Sequence, residues 1–313
     1  MNTVAVVLEG PQRLALSRMQ LAPPGEEDVV VDIQYSGIST GTERLLWSGR
    51  MPPFPGMGYP LVPGYESVGR VREAGSRSGR SRGDFVFVPG ARCFGEVRGL
   101  FGGAASRLVV PGTRATSLDE GLGERGVLMA LAATAYHAMS TEHAMLPELI
   151  VGHGVLGRLL ARLAVLRGAA PVVWESNPER AHALDGGYRV LPPDGDPRRD
   201  YRSIYDVSGD PALLDTLIGR LARGGQVVLA GFYEQALSFA FPPAFMREAS
   251  IRIAAEWQPR DLEAVKELAQ RGELSLEGLI THRSEATQAA VAYRTAFDDP
   301  LCLKMILDWR GCV

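Results

Sequence analysis

The residues Gly152-His153-Gly154-Val155-Leu156-Gly157 follow the G-x-G-x-x-G spacing of a turn that cradles a pyrophosphate. A chain with 36 glycines can produce that spacing in loops, so the surroundings decide its meaning. The apolar run Leu149-Ile150-Val151 precedes the glycines. Behind them Leu156, Leu159, Leu160, Leu163 and Leu166 recur at helical spacing, while Arg158, Arg162 and Arg167 fall off that stripe. A strand-to-helix turn is therefore expected. There Gly152 permits the tight bend, Gly154 lets the backbone approach an anion, and Gly157 lets the helix pack on the strand. The next apolar run, Pro171-Val172-Val173-Trp174, ends at Glu175, about 20 residues beyond the glycines. A carboxylate there accepts hydrogen bonds from the adenosine ribose hydroxyls and repels a 2′-phosphate, so NAD is expected rather than NADP. Arg180 tempers this, because a guanidinium just past the second strand either pairs with a phosphate or is solvated on a helix expected from Pro178. His153, inside the turn, is expected to flank the pyrophosphate.

These residues need a parallel sheet to hold them, and the pattern around them supplies one. Helix 155–167, strand 171–175, the helix from Pro178, strand 203–207, helix 211–223 and strands 226–231 and 250–256 alternate as in a doubly wound fold. Residues 1–120 read differently, as short β segments cut by Gly and Pro: 3–9, 28–35, 64–73, 84–89 and 105–110. The expected class is α/β, a β-barrel-like domain over 1–120 plus a doubly wound parallel sheet over 121–257. A tail over 258–313 has helices at 262–271 and 285–297 and strands at 279–281 and 304–307, and is expected to return to the first domain. The Pro-rich stretch Met51-Pro52-Pro53-Phe54-Pro55-Gly56-Met57-Gly58-Tyr59-Pro60-Leu61-Val62-Pro63 cannot be helix. It is either a rigid connector or an apolar wall for a large flat ligand.

Composition narrows the partners. With 313 residues, 46% of them hydrophobic and 22% charged, the chain has room for two globular domains. A net charge of −3 provides no polyanion-binding surface, so nucleic acid is not an expected partner. Three cysteines, Cys93, Cys302 and Cys312, without C-x-x-C spacing, argue against a disulfide framework or a structural zinc lobe. No basic n-region with a long apolar run opens the chain, and apolar stretches elsewhere are broken by Arg, Gly or Pro. A cytoplasmic protein without a transmembrane segment is expected, with docking on a membrane surface and oligomerisation left open.

Several motifs carry a family resemblance over the whole chain. Gly64-Tyr65-Glu66-Ser67-Val68-Gly69-Arg70-Val71 is similar to the G-H-E-x-x-G-x-V of the medium-chain dehydrogenase/reductase superfamily. Gly83-Asp84-Phe85-Val86, Gly103-Ala104-Ala105 and Thr134-Ala135-Tyr136 resemble further family segments. The resemblance implies a GroES-like catalytic barrel, an inserted Rossmann domain and a C-terminal return. Ser39-Thr40-Gly41-Thr42-Glu43, the Pro-rich run and the ending Cys302-Leu303-Lys304-Met305-Ile306-Leu307-Asp308-Trp309 resemble a zinc-lacking branch acting on bacteriochlorophyllide-type tetrapyrroles. What that implies is oxidation of a 3-(1-hydroxyethyl) side chain to 3-acetyl in bacteriochlorophyll biosynthesis, with NAD accepting hydride. Arg44 and Arg50 could then pair with a propionate of the macrocycle.

The departures from the zinc members bear on mechanism. Ser39 and Tyr65 stand where those enzymes place ligand Cys and His, and the third ligand position falls in the apolar run Leu128 to Ala133. Hydroxyl and alkyl groups do not make a catalytic zinc site, so no protein-held metal is expected, unless Glu66 and a histidine hold one in an unusual geometry. Any inner magnesium would come with the tetrapyrrole. A secondary alcohol that loses hydride must also lose its hydroxyl proton, and a side chain has to take it. Tyr65 is the first candidate, either as a phenolate, if its neighbours favour one, or as a hydrogen-bonding member of a relay. Thr42 matches the family's hydroxyl relay position, and His137, after Thr134-Ala135-Tyr136, is the second candidate base. Each also has a plain structural reading: Tyr65 fills the emptied metal site, His137 is a core histidine, and Glu43, Glu66 and His282 brace loops. A zinc-free NADPH-dependent quinone or enoyl reductase of the same fold, or a non-catalytic pigment-binding protein, remain the alternatives.

Overall fold

The computed structural model describes residues 1–53, 55–142, 144–181 and 187–312. The chain divides into two compact units, Met1–Ala130 with Leu279–Val313, and Leu131–Gly278. The boundaries expected at 120 and 257 therefore move. The helix Pro259–Gln270 belongs to the second unit, and the return to the first begins at Leu279.

The first unit is built on the strand Asp28–Ile38, whose Val29, Val30 and Val31 are wholly buried. One edge of this strand pairs antiparallel with Ser67–Ala74. The other edge is shared: its first half pairs with Arg107–Pro111, and its last residues pair with Met305–Asp308. Register then determines what meets at one end of the sheet. Ile38 lies opposite Met305, Ser36 lies opposite Ser67, and the Gly37 N–H donates to the Glu66 carbonyl at 2.7 Å. Ser39, Glu66 and Lys304, each one residue beyond a paired strand end, are thereby brought together across more than 200 residues of sequence.

The N-terminal strand Asn2–Gly10 forms a hairpin with Arg13–Gln20, an element the sequence reading lacked because polar residues interrupt its apolar pattern and Leu16 faces outward with Arg18 and Gln20. The other four early strands fall close to their expected positions. In the tail, the strand expected at 279–281 lies instead at His282–Glu285, parallel to Met305–Asp308. Met57 and Tyr59 of the Pro-rich loop pack with Met51, Trp47 and Phe101 around Leu8, Leu46, Leu61 and Leu100. The Tyr59 hydroxyl donates to the Leu46 carbonyl. Phe54 lies outside the described residues.

The second unit is a six-stranded, all-parallel sheet. In spatial order its strands are Arg189–Leu191, Val172–Trp174, Leu149–Val151, Tyr201–Asp206, Leu221–Leu229 and Ser250–Ile253. Numbered along the chain that order is 3-2-1-4-5-6, the doubly wound nucleotide-binding arrangement. The third strand, Arg189–Leu191, was not legible in a run carrying Arg and flanked by Gly and Pro. Leu159, Leu160 and Leu163 of the helix Val155–Leu166 are buried as expected, but Leu166 is exposed. Arg158 and Arg162, expected on the solvent side, are buried as well. Arg162 reaches the Ser275 and Glu277 carbonyls at 2.8 and 2.9 Å, so guanidinium groups satisfy main-chain acceptors on the helix's second face. The expected helix from Pro178 is a 3-10 turn over Pro178–Arg180, and residues 182–186 lie outside the described residues.

Among the described residues no helix is long and apolar enough to cross a membrane. All three cysteines are buried free thiols.

Candidate active site

Where the three strand ends meet, the first unit buries two carboxylates and an ammonium. Glu66 is wholly buried, and its Oε2 accepts from the Lys304 ammonium at 2.6 Å. Lys304 also donates to the Ile38 carbonyl at 3.3 Å. The Glu66 side chain lies over Gly37, where an added Cβ would stand 2.2 Å from Oε2, so any larger residue would displace the carboxylate. Burial pushes the Glu66 carboxyl up and the Lys304 ammonium pulls it back. Its second oxygen, Oε1, is buried and has no hydrogen-bond partner among the described residues.

Glu43, in the first turn of the short helix Thr42–Ser48, is buried too. It accepts from the Ser39 N–H at 3.0 Å and from the Tyr293 hydroxyl at 2.6 Å. Burial pushes its carboxyl up to about 7, against the lowering effect of those two bonds. Ser39 thus faces two ways: its N–H holds Glu43, and its Oγ lies 2.7 Å from the Tyr65 hydroxyl. Thr42 is a second hydroxyl partner of the same phenol. The Tyr65 ring meets Phe101 edge-on at 5.4 Å, which places the phenol beside the apolar cluster of the Pro-rich loop.

The Tyr65 pKa is raised well above the ordinary tyrosine value, first by burial and then by the Glu66 and Glu43 carboxylates. The side chain keeps some accessible surface, and burial with the carboxylates outweighs the hydrogen bonds from Ser39 and Thr42, which lower the value. Its neighbours therefore disfavour a phenolate.

His137 belongs to the second unit, on the helix Met129–Ala138. Its Nδ1 lies 2.7 Å from Asp261 Oδ2, and the same Asp261 oxygen caps the helix Pro259–Gln270 by accepting from the Gln258 N–H. This imidazole ties two helices together. His282 is likewise engaged, with Thr281 at 2.9 Å and Asp299 at 3.2 Å, while Arg44 and Arg50 are exposed.

In the second unit the glycines stand at the turn between the strand Leu149–Val151 and the helix Val155–Leu166. Gly152 has φ +105°, a conformation L residues rarely adopt. A Cβ on Gly157 would lie 1.8 Å from the Gly152 carbonyl, so the helix closes against its own turn. A Cβ on Gly154 would meet nothing within 4 Å, which leaves that backbone open to a ligand. Val155 is buried at the start of the helix and Leu156 is half-buried. Glu175 follows the second strand, and its Oε1 accepts from the Asn177 N–H at 2.8 Å, which fixes the carboxylate at the strand end. Arg180 is half-buried. This turn, open helix end and fixed carboxylate fit a dinucleotide.

The His153 side chain departs from expectation. It is wholly buried, with Nδ1 2.9 Å from the Arg180 carbonyl and Nε2 3.0 Å from the Tyr188 hydroxyl, so it is not directed at a pyrophosphate.

A catalytic zinc does not fit the first unit. Ser39 and Tyr65 hydrogen-bond each other at two of the family's ligand positions, and Oε2 of Glu66 is taken by an ammonium. Among the described residues no group of three or more His, Cys, Asp or Glu side chains is arranged to hold a metal ion.

Two functional neighbours escaped the sequence reading. Lys304 had one signal, a single charge inside the apolar run Cys302 to Leu307. Tyr293 had none, since an apolar-facing tyrosine on a helix is unremarkable.

Comparison with known proteins adds to this geometry. The alcohol dehydrogenase GroES-like domain matches residues 25–120. The chain is 59% identical, over 99% of its length and 99% of the relative's, to 2-desacetyl-2-hydroxyethyl bacteriochlorophyllide A dehydrogenase of Rhodobacter capsulatus. It is 58% identical, with the same coverage of both chains, to the protein of that name from Cereibacter sphaeroides. Among solved structures it is similar to a short chain alcohol dehydrogenase from Escherichia coli complexed with NADH. That match has a TM-score of 0.82 and 20% identity over 98% of this chain and 99% of the other.

Proposed function

Because the chain belongs to the 2-desacetyl-2-hydroxyethyl bacteriochlorophyllide A dehydrogenases, a branch of the medium-chain dehydrogenase/reductase superfamily, we propose that it oxidises the pigment's hydroxyethyl group with NAD and without a protein-held metal. The reaction is a step of bacteriochlorophyll biosynthesis that turns the 3-(1-hydroxyethyl) side chain into 3-acetyl. The observation that carries the substrate is the 59% identity, spread over 99% of both chains.

Bound at the 152–157 turn, a nicotinamide dinucleotide supplies the hydride acceptor. Gly152, Gly154 and Gly157 with the backbone of Val155 and Leu156 hold its pyrophosphate, and Glu175 receives the adenosine ribose hydroxyls. Glu175 favours NAD because a 2′-phosphate would be repelled by the carboxylate.

The rest falls to the first unit's side chains. The carbinol proton must leave as the C–H bond breaks, and Tyr65 is the group that receives it. A phenol that stays protonated does this by transfer in both directions: its oxygen accepts the substrate proton while its own proton passes to Ser39 or Thr42. Thr42, half-buried, carries the proton outward. Glu43 acts through the Ser39 N–H, which holds the serine hydroxyl on Tyr65. The Lys304–Glu66 pair keeps a fixed charge behind the phenol. Phe101 and the Met57–Tyr59 loop offer the apolar surface a macrocycle requires.

Tyr65→Phe tests this directly. It removes one hydroxyl and should lower kcat with hydroxyethyl bacteriochlorophyllide by about 10²-fold, in line with the size of acid–base contributions, and leave NADH affinity intact. Turnover close to wild type would dismiss the relay.

A further inference from the structure

The glycine turn contains one long side chain, and it points inward. His153 is wholly buried, although its neighbours Gly152 and Gly154 are half-exposed. A carbonyl can only accept, so Nδ1 carries the proton that goes to the Arg180 oxygen at 2.9 Å. Nε2 then accepts from the Tyr188 hydroxyl at 3.0 Å, and the two rings meet edge-on at 5.7 Å. Arg158, buried in the first turns of the helix, completes the knot. Its Nη2 donates to the same Arg180 carbonyl at 3.0 Å, and its Nε donates to the His153 carbonyl at 3.1 Å. Burial and the nearby Arg158 hold the imidazole down to about 4, which keeps it in the neutral form those bonds require.

Three chain segments are thereby locked together: the glycine turn, the helix start, and the connection that follows Glu175. On the dinucleotide reading, the first would meet the pyrophosphate and the third follows the carboxylate that would meet the adenosine ribose. Holding the Arg180 main chain sets where its guanidinium can go relative to the Glu175 carboxylate.

We propose that His153 is a positioning residue for cofactor choice: through the Arg180 carbonyl it holds that arginine in place, so that Glu175 governs the site where NAD carries a hydroxyl and NADP a phosphate. The inference rests on the dinucleotide reading above and adds a residue that never touches the ligand.

The test uses the full-length protein and the affinities of NADH and NADPH, read from the fluorescence of the bound reduced nicotinamide. Asparagine places its amide nitrogen near His Nδ1, and glutamine places its own near Nε2. His153→Asn should therefore keep the NADH preference within about threefold of wild type. His153→Gln and His153→Ala should erode it by about tenfold, the scale of one charge-positioning hydrogen bond. Arg158→Met, which removes the second donor to the same carbonyl and leaves His153 in place, should erode it by about threefold or more, and gives a reading even if the His153 variants fail to fold. An unchanged preference in folded His153→Gln, His153→Ala and Arg158→Met proteins would overturn the proposal. So would an asparagine variant as impaired as the alanine one. A wild-type chain that retains neither nucleotide would overturn the dinucleotide reading itself, an outcome separate from these.

Discussion

Replacing Lys304 by methionine keeps the buried alkyl chain and deletes the charge opposite Glu66. Both partners are essentially inaccessible, with side-chain exposures of 2% for Lys304 and 0% for Glu66. Left alone, a buried carboxylate does not stay charged; it takes up a proton. The minimum cost is that of protonating a group whose ordinary pKa is about 4.3, or about 1.36 kcal/mol for each pH unit above it. At pH 7 this is about 3.7 kcal/mol, within the about 3–5 kcal/mol seen when one partner of a buried pair is removed. At pH 5.5 the same sum gives about 1.6 kcal/mol. The folded variant then binds one more proton than its unfolded chain, so its stability rises as pH falls towards 4.3; in the wild type the Lys304 ammonium offsets part of the burial that raises the Glu66 carboxyl, so the slope from Glu66 has the same sign and is smaller. Urea denaturation of both proteins at the two pH values reads this difference. A loss below about 1 kcal/mol, or one that is equal at both pH values, would mean that Lys304 does not hold a charged Glu66 in the core.

The remaining expectations concern neighbouring groups. Glu43 has its carboxyl pushed up to about 7 by burial, so the folded chain holds an extra proton between its ordinary value and 7. Wild-type stability should therefore fall as pH rises through that window, and Glu43→Gln should escape up to about 3 kcal/mol of the fall; parallel stability profiles would refute the buried, protonated carboxyl. Glu175→Ala removes the carboxylate that would oppose a 2′-phosphate, and the NADH-to-NADPH affinity ratio should drop by about tenfold. A wild type that already prefers NADPH would show the ribose argument to be wrong.

The nucleotide turn was legible in the sequence because two of its three glycines answer a backbone demand. Gly152 needs a positive φ and Gly157 a contact too close for a Cβ, and both requirements leave a trace in residue type. The parallel sheet was legible from alternation, apart from its third strand, where Arg189 interrupts the apolar pattern. Helix polarity was harder. Arg158 and Arg162 look like a solvated face, yet main-chain carbonyls recruit them, and no periodicity distinguishes those two fates. The members of the charged cluster could be noticed one by one, but nothing in the sequence brought them together. Glu66 and Lys304 lie 238 residues apart and meet only because Ser67–Ala74 and Met305–Asp308 flank one strand in a register that turn lengths and core packing decide. His153 illustrates the same limit on a smaller scale, since a histidine between two glycines reads as a ligand neighbour until its ring is seen to face the protein.

The central claim is that the hydroxyethyl carbinol is oxidised by hydride loss to NAD with Tyr65, Ser39 and Thr42 handling the proton and no metal held by the protein. Protein treated with a strong chelator and then mixed with NAD and hydroxyethyl bacteriochlorophyllide should form NADH and the red-shifted acetyl pigment in equal amounts, at the rate of untreated protein. Activity that disappears on chelation and returns with stoichiometric zinc would contradict it.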